Sequence, residues 1–430
     1  MSNYYKIEDI CKVKGGKRIP QGEVLQTKKN EHPYIRILDM YQGRILNIND
    51  EMLYAKETYW EKISSYIVNT GDIVLAIVGN TLGMVSVIGD TLDKANLTEN
   101  CCKFVDLDEK KVLPLFLYYS LKAPLNQKQI EVFKVGSSQP KLPIYNINQL
   151  LVPRYTIDKQ HKIINILSDL DSKIENNNKI SIELEAMART IYDYWFLQFD
   201  FPDESGKPYK SSGGKMVWNE ELKREIPEGW KVKRIKDCVK HINTGLNPRD
   251  NFVLGQGDIK YVTVKNLMSN GTLDFASCDT IDSRAKKIIH KRSDVAKGDI
   301  LFASIAPLGR CFIVQEEPEK WDINESVFSI RPNIDMVSKE YLYLFFISQA
   351  FVRLAEFSST GSVFYGIRIS TLENMQIIIP DEDTMQKFTN YTSDILYKKY
   401  LNFIGNHELA SLRDFLLPLL MNGQVGFKEC

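Results

Sequence analysis

"VNTGDIVLAIVGNTLGMVSVI" (Val68–Ile88) and "VAKGDILFASIAPLGRCFIV" (Val295–Val314) are one stretch written twice, Val68 of the first copy returning as Val295 of the second. Each opens on Gly-Asp, a turn signal, and runs into a short aliphatic and β-branched segment that reads as a strand. Working outward, the same offset recurs. "PYIRILDM" from Pro33 returns as "KYVTVKNL" from Lys260, and "NINQLLVP" ending at Pro153 returns as "STLENMQIIIP" ending at Pro380. Beyond those prolines, "KIINILSDL" from Lys162 aligns with "KFTNYTSDI" from Lys387, the offset now shorter by two. A repeat of this length decides the fold class. The chain reads as α+β, with two strand-rich domains and a long helix after each.

The implied boundaries are 1–153 for the first domain, 154–199 for the first long helix, 200–225 for a polar linker, 226–380 for the second domain and 381–430 for the second helix. The segment "ARTIYDYWFLQFDFPDESGKPYKSSGG" (Ala188–Gly214) marks the seam. It begins as an aromatic-rich helix and ends as a Gly/Ser/Lys/Pro string. Within each domain one amphipathic helix is expected, over "KVLPLFLYYSLKAP" and over "VSKEYLYLFFISQAF".

Positions spaced alternately by three and four define a coiled-coil seam. In the first helix they are Ile163, Ile166, Leu170, Lys173, Asn177, Ile180, Leu184, Met187, Ile191 and Tyr194. The second helix repeats the series from Phe388 and Tyr391 through Lys398, Asn402 and Gly405 to Leu419. If the helices pack antiparallel, Asn177 and Asn402 meet near the midpoint and fix register; the alternative leaves them at a solvated edge of the seam. Antiparallel packing relates the two halves by a pseudo-two-fold axis and makes the helix pair a spacer, about 48 Å long at about 1.5 Å per residue. Gly405 weakens the second helix, and Pro418 is expected to kink or end it.

The chain has 430 residues, a formal net charge of +0, 43% hydrophobic and 26% charged residues, seven cysteines and five histidines. That composition is ordinary for a globular protein. No run approaches the roughly 18 apolar residues of a membrane span, and the cytoplasm is the expected compartment. No cysteine lies in a CxxC pair, so neither a disulfide framework nor a zinc site is expected. Cys101 and Cys102 read as ordinary strand residues. There is no Walker A, no GxGxxG between a strand and a helix, no methyltransferase motif and no catalytic triad. The chain therefore reads as a recognition protein without a catalytic centre.

Three long stretches now identify a family. They are "VPRYTIDKQHKIINILSDLDSKIENNNKI" from Val152, "IYDYWFLQFDFPDESGKPYKSSGGKMVWNEELKREIPEGW" from Ile191 and "FLLPLLMNGQV" from Phe415. Together with the order domain–helix–domain–helix, they make the whole chain resemble the specificity subunit of type I restriction-modification systems. The first repeat departs from the second in lacking the "IPEGW" lead-in of Ile226. The resemblance implies two target-recognition domains, each reading one half of a split site on double-stranded DNA. It implies two modification (methyltransferase) subunits and two restriction subunits as partners. S-adenosylmethionine, ATP and Mg²⁺ would belong to those partners, with no cofactor or metal in this chain. A protein-interaction scaffold that never touches DNA, or an enzyme with an unrecognised site, remains the alternative.

Phosphate contacts position a protein on DNA and base-edge contacts specify the sequence. The candidate loops offer cations beside amide and hydroxyl side chains. In the first domain these are Lys17, Arg18, Lys28 and Lys29, then Ser137, Ser138, Gln139 and Lys141. In the second they are Asn247, Arg249, Arg310, Ser362, Tyr365 and Arg368. Gln139 and Asn247 suit adenine; Arg18, Arg249 and Arg368 suit guanine or phosphate. Trp195, Phe196, Leu419 and Leu420 are candidate partner contacts; for Trp195 and Phe196 a core role is the competing expectation. A strong solitary DNA binder is usually basic. A neutral chain is therefore expected to bind weakly by itself and to gain phosphate contacts from partners.

Overall fold

The structure, a computed structural model, describes residues 3–358 and 366–426, with only the backbone at 41 and 42. The chain divides into two compact units. Residues 1–175 with 407–430 form the first, and residues 176–406 the second. Two long helices, α1 (Ile157–Tyr192) and α2 (Glu382–Met421), each cross the boundary between units.

In the first unit a five-stranded sheet runs Lys12–Gly15, Cys101–Val105, Ile73–Ala76, Val85–Ile88 and Ile45–Leu46. All neighbours are antiparallel except the last pair. A three-stranded sheet places Pro33–Ile35 between Leu53–Tyr54 and Asn96–Leu97, the latter parallel. Tyr4–Lys6 pairs with Leu151–Pro153 and closes the domain. The second unit repeats this plan. Val239–Thr244, Val327–Pro332, Ile300–Ala303 and Cys311–Ile313 form one sheet. Ile259–Val262 lies between Asp279–Ile281 and the parallel strand Trp321–Ile323, and Lys231–Arg234 pairs with Gln376–Ile379. The Gly-Asp strands, Ile73–Ala76 and Ile300–Ala303, are fully buried on both faces, as their continuous apolar runs require. Cys101 and Cys102 are buried strand residues, and burial pushes the Cys101 thiol up to about 12.

Each domain carries two helices where one was expected. Pro114–Lys122 breaks at an extended Ala123 before Pro124–Phe133, and Lys339–Ile347 breaks at an extended Ser348 before Gln349–Phe357. Pro124 opens its helix at a position where no N–H is needed. In the second unit Ser348 caps the following helix by accepting from the Phe351 N–H.

The linker is not a free string. After α1, a single π-helical turn (Asp193–Leu197) brings Trp195 and Phe196 into the second unit's core, against Phe388 and Tyr341. Phe201 stacks between Tyr209 and Trp230, and Met216–Asn219 forms a hairpin with Arg224–Pro227. The polar residues that suggested a solvated chain instead close turns. Asp203 accepts from the N–H groups of Ser205 and Lys207, and Asp200 accepts from Ser211.

The helices run antiparallel within each unit. In the second, Asn177 faces Asn406, Glu185 faces Lys399 and Tyr192 faces Phe388. In the first, Asp171 meets Arg413, and Tyr155 donates to the Met421 carbonyl. The buried stripe lies one residue beyond the expected seam. Leu167, Asp171, Glu185 and Ala188 are buried on α1, as are Thr392, Leu396, Lys399 and Phe403 on α2, while Ile166, Met187, Tyr391 and Leu412 are exposed. The expected positions Ile163 and Phe388 are buried, where each helix lies on its own unit's apolar core. The slip has a simple cause: the seam carries buried charges, and an apolar pattern avoids them.

Asn177 and Asn402 do not pair side chain to side chain. The Asn177 amide donates to Asn406 at 2.9 Å, and Asn402 donates to Ser181 at 3.2 Å and to the Asn177 backbone carbonyl at 3.4 Å, so the two residues do meet, through backbone and not through paired amides. Helix α2 continues through Pro418 to Met421, so the proline occupies its final turn.

Glu185 takes Lys399 on one side and Arg189, at 2.7 Å, on the other. Burial works to raise its carboxyl, but the two cations outweigh that and hold it below the usual range. Lys399→Met leaves a buried carboxylate with one partner. It should lower the unfolding free energy of the full chain by about 3 kcal/mol, read from the chemical-denaturation midpoint. By contrast, a Cβ on Gly405 meets nothing within 4 Å inside α2. Gly405→Ala should raise stability by about 1 kcal/mol in the same assay.

Candidate nucleic-acid interface

A glycine at a crowded backbone crossing starts the site in each unit. In the first, a Cβ on Gly16 would lie 2.1 Å from the Thr98 carbonyl oxygen. In the second, a Cβ on Gly245 would lie 1.7 Å from the Ile323 oxygen. Only glycine permits the strands Lys12–Gly15 and Val239–Thr244 to leave over the end of the parallel strand. The chain then enters the loop that carries the candidate cations. Tyr34 donates to the Lys17 carbonyl at 2.8 Å and Tyr261 to the Leu246 carbonyl at 2.6 Å, pinning each loop. Burial pushes the Tyr34 hydroxyl up to about 12, so it stays a donor at neutral pH.

Three further segments meet this departure. In the first unit Arg18 pairs with Glu99 at 3.5 Å, and the neighbouring Asn100 carbonyl accepts from the Ile77 N–H at 2.9 Å. Val78 then bridges to Lys141, and the Gly79 N–H donates to the Pro140 carbonyl. Lys141 and Val135 exchange hydrogen bonds at 2.8 and 2.9 Å across the turn, which leaves Ser137, Ser138 and Gln139 exposed at its tip. In the second unit the Gly245 N–H donates to the Asn324 carbonyl, and the Asn324 side chain accepts from the Ser326 N–H. The Ser326 carbonyl accepts from Ser304, and the Ser304 carbonyl accepts from Ile367. Ile305 bridges to Gly366 as Val78 does to Lys141. The same four segments therefore converge in both units.

Lys17, Arg18, Lys28, Lys29 and Lys141 are exposed, as are Arg249 and Arg368. Lys17 lies over the Tyr66 ring at 5.5 Å. Lys28 and Lys29 occupy the turn between the Gln26 bridge to Tyr54 and the strand at Pro33. Asn247 is half-buried and caps Asn251 through its carbonyl. Arg310 is half-buried and donates to the Leu267 carbonyl at 3.2 Å, which ties part of its guanidinium to the domain. Ser362 and Tyr365 lie outside the described residues.

The expected partner contacts shift. Trp195, Phe196 and Leu420 are buried in their units' cores and Leu419 is half-buried, because aromatic and leucine side chains at these helix ends are consumed by packing. The apolar side chains left exposed on the helices include Tyr194, Met187, Phe415 and Leu412. Among the described residues no group of three or more His, Cys, Asp or Glu side chains is placed to hold a metal, and no helix is long and apolar enough to cross a membrane.

Residues 2–186 and 227–399 match the family described as the type I restriction modification DNA specificity domain. The chain belongs to this family. Two matched segments are what an internal repeat of specificity domains produces. A type I restriction enzyme specificity subunit of Methanocaldococcus jannaschii, MjaIX, is 26% identical over 99% of this chain and 93% of its own. The HindI specificity subunit of Haemophilus influenzae is 23% identical over 73% of this chain and 78% of its own. The solved specificity subunit of M. genitalium shares the fold, with a TM-score of 0.54 at 15% identity over 99% of this chain and 96% of that one.

The sequence reading of this specificity-domain chain missed the glycines and the tyrosines that set the loops. Gly16 and Gly245 stand two positions out of step with the offset that carries Val68 to Val295, whereas Tyr34 and Tyr261 obey it. Comparing residues at near-equivalent positions would have found both pairs. Gly245→Ala should displace the 246–251 loop and weaken the second unit. The check is limited proteolysis, with new cleavage expected within that loop; an unchanged digest would count against the role given to this glycine.

Proposed function

We propose that this chain is the DNA-recognition subunit of a type I restriction-modification complex, reading a split site with one unit per half. The observation that carries the reading is the repeated convergence of four segments, two of which bring unlike side chains. The first unit presents Arg18, Gln139 and Lys141; the second presents Asn247, Arg249 and Arg368. The backbone bridges beneath them are equivalent. Equivalent support with different hydrogen-bonding groups is what two half-sites of different sequence require.

In this reading the chain is not itself the catalyst. It positions modification and restriction subunits, which bring S-adenosylmethionine, ATP and Mg²⁺, and it works in the cytoplasm where the DNA is. Exposed apolar side chains along the helices, such as Tyr194 and Phe415, offer contact area to those subunits. The relatives' names as restriction-enzyme specificity subunits support this assignment.

The test is the methylome of the host. A two-part methylated motif should vanish when this chain is deleted. Exchanging the exposed tip Ser137, Ser138 and Gln139 for glycine should abolish methylation at the motif without unfolding the chain. Persistence of every methylated motif after deletion would favour the scaffold reading instead.

A further inference from the structure

The helix Ser283–Ser293, "SRAKKIIHKRS", holds five Lys/Arg residues and no acidic one. It is capped by Asp282, which accepts from the Ala285 N–H at 2.7 Å. Ala285, Ile289 and Ser293 are buried. Three basic side chains have duties within the unit. Lys286 bonds the Pro318 and Glu319 carbonyls, His290 faces Asp322 and Arg292 donates to the Thr244 hydroxyl at 3.2 Å. Arg284, Lys287 and Lys291 are exposed, and no ion pair is recorded for them among the described residues. At a spacing of three and then four they share one helix face, opposite the buried one.

The position of this face matters. Arg292 holds Thr244, the residue before Gly245, where the second unit's loop departs. Ser293 donates at 2.7 Å to the fully buried Asp322, next to the Ile323 carbonyl that crowds Gly245. The C-terminal end of the helix is therefore fastened to the same backbone crossing from which the reading loops start. From Arg284 to Lys291 the helix rises about 10 Å, which matches the axial run of about three phosphates on one DNA strand.

Among the described residues the first unit has no such face at the equivalent place. The positions equivalent under the offset from Val68 to Val295 are Glu57, Trp60 and Ser64, and Trp60 stacks on His32. We infer that Arg284, Lys287 and Lys291 form a phosphate-gripping face, so that the second unit holds the DNA backbone through a helix beside its loops. This rests on the DNA-recognition reading and adds a division of labour to it: the loops choose the sequence, and this helix holds the strand.

The experiment measures binding of the full chain, in complex with its modification subunit, to two duplexes across a range of salt concentrations. One duplex carries the methylated motif and the other a scrambled sequence. Replacing Arg284, Lys287 and Lys291 together by alanine should flatten the slope of log affinity against log salt by about 2 to 3, since each phosphate contact contributes about 0.9. Both duplexes should be affected and the methylated motif should not change. The charge-keeping triple variant R284K/K287R/K291R should retain the slope, and Lys287→Ala alone should remove about one unit of it. An unaltered slope in the alanine variant overturns the inference, as does a loss confined to the motif duplex or a loss of the modification subunit in place of DNA. If the wild-type complex binds neither duplex, the DNA-recognition reading falls and takes this inference with it.

Discussion

Buried charge sets the register of the helix pair. In the first unit Asp171 is nearly inaccessible and takes Arg413 at 2.8 Å and the Tyr119 hydroxyl at 2.7 Å. Arg44 grips Glu175 with two bonds one turn further along α1. In the second unit Glu185 sits between Lys399 and Arg189. A slip of the helices would take Arg413 from Asp171 and Lys399 from Glu185, at a cost of several kcal/mol each. Apolar side chains tolerate a slide; paired ions do not. The antiparallel packing of each unit follows from these contacts, and each recognition domain is fixed to its helices by the same side chains, Tyr119 and Arg44 in one and Tyr343 in the other.

Much of the architecture was legible in the sequence because the repeat is long and its strands are entered through Gly-Asp. The strands at Ile73 and Ile300 fall where the quoted stretches predict them. The helices were legible as helices but not in their facing. Ile166 and Met187 look like seam residues and lie in solvent, while Asp171 and Glu185 look like surface and lie inside. The polarity of a residue predicts its burial only until a partner of opposite charge is folded against it. The linker failed for a related reason. Asp200 and Asp203 are polar because they close turns, and the adjacent Phe199 and Phe201 are core.

The candidate site was legible as a set of loops and not as a surface. Loop composition singled out Lys17, Gln139, Asn247 and Arg368 as candidates, but it could not show that Val78 bridges to Lys141 or Ile305 to Gly366. Those bridges join segments separated by several intervening strands and helices, which no local pattern reports. Arg310 shows the converse: its charge suggested a free contact, and its bond to the Leu267 carbonyl gives it a place in the domain.

The two ion pairs are not images of each other. Under the helix repeat that carries Asn177 to Asn402, Arg413 corresponds to Ala188 and Lys399 to Ile174. A half-length copy dimerising with itself would therefore set Asp171 against alanine and Glu185 against isoleucine. Asp171 would be buried without a counter-ion and Glu185 would keep only Arg189. The ancestral symmetry survives in the backbone but has been spent in the side chains, and the two halves of this chain have become obligate, non-interchangeable complements.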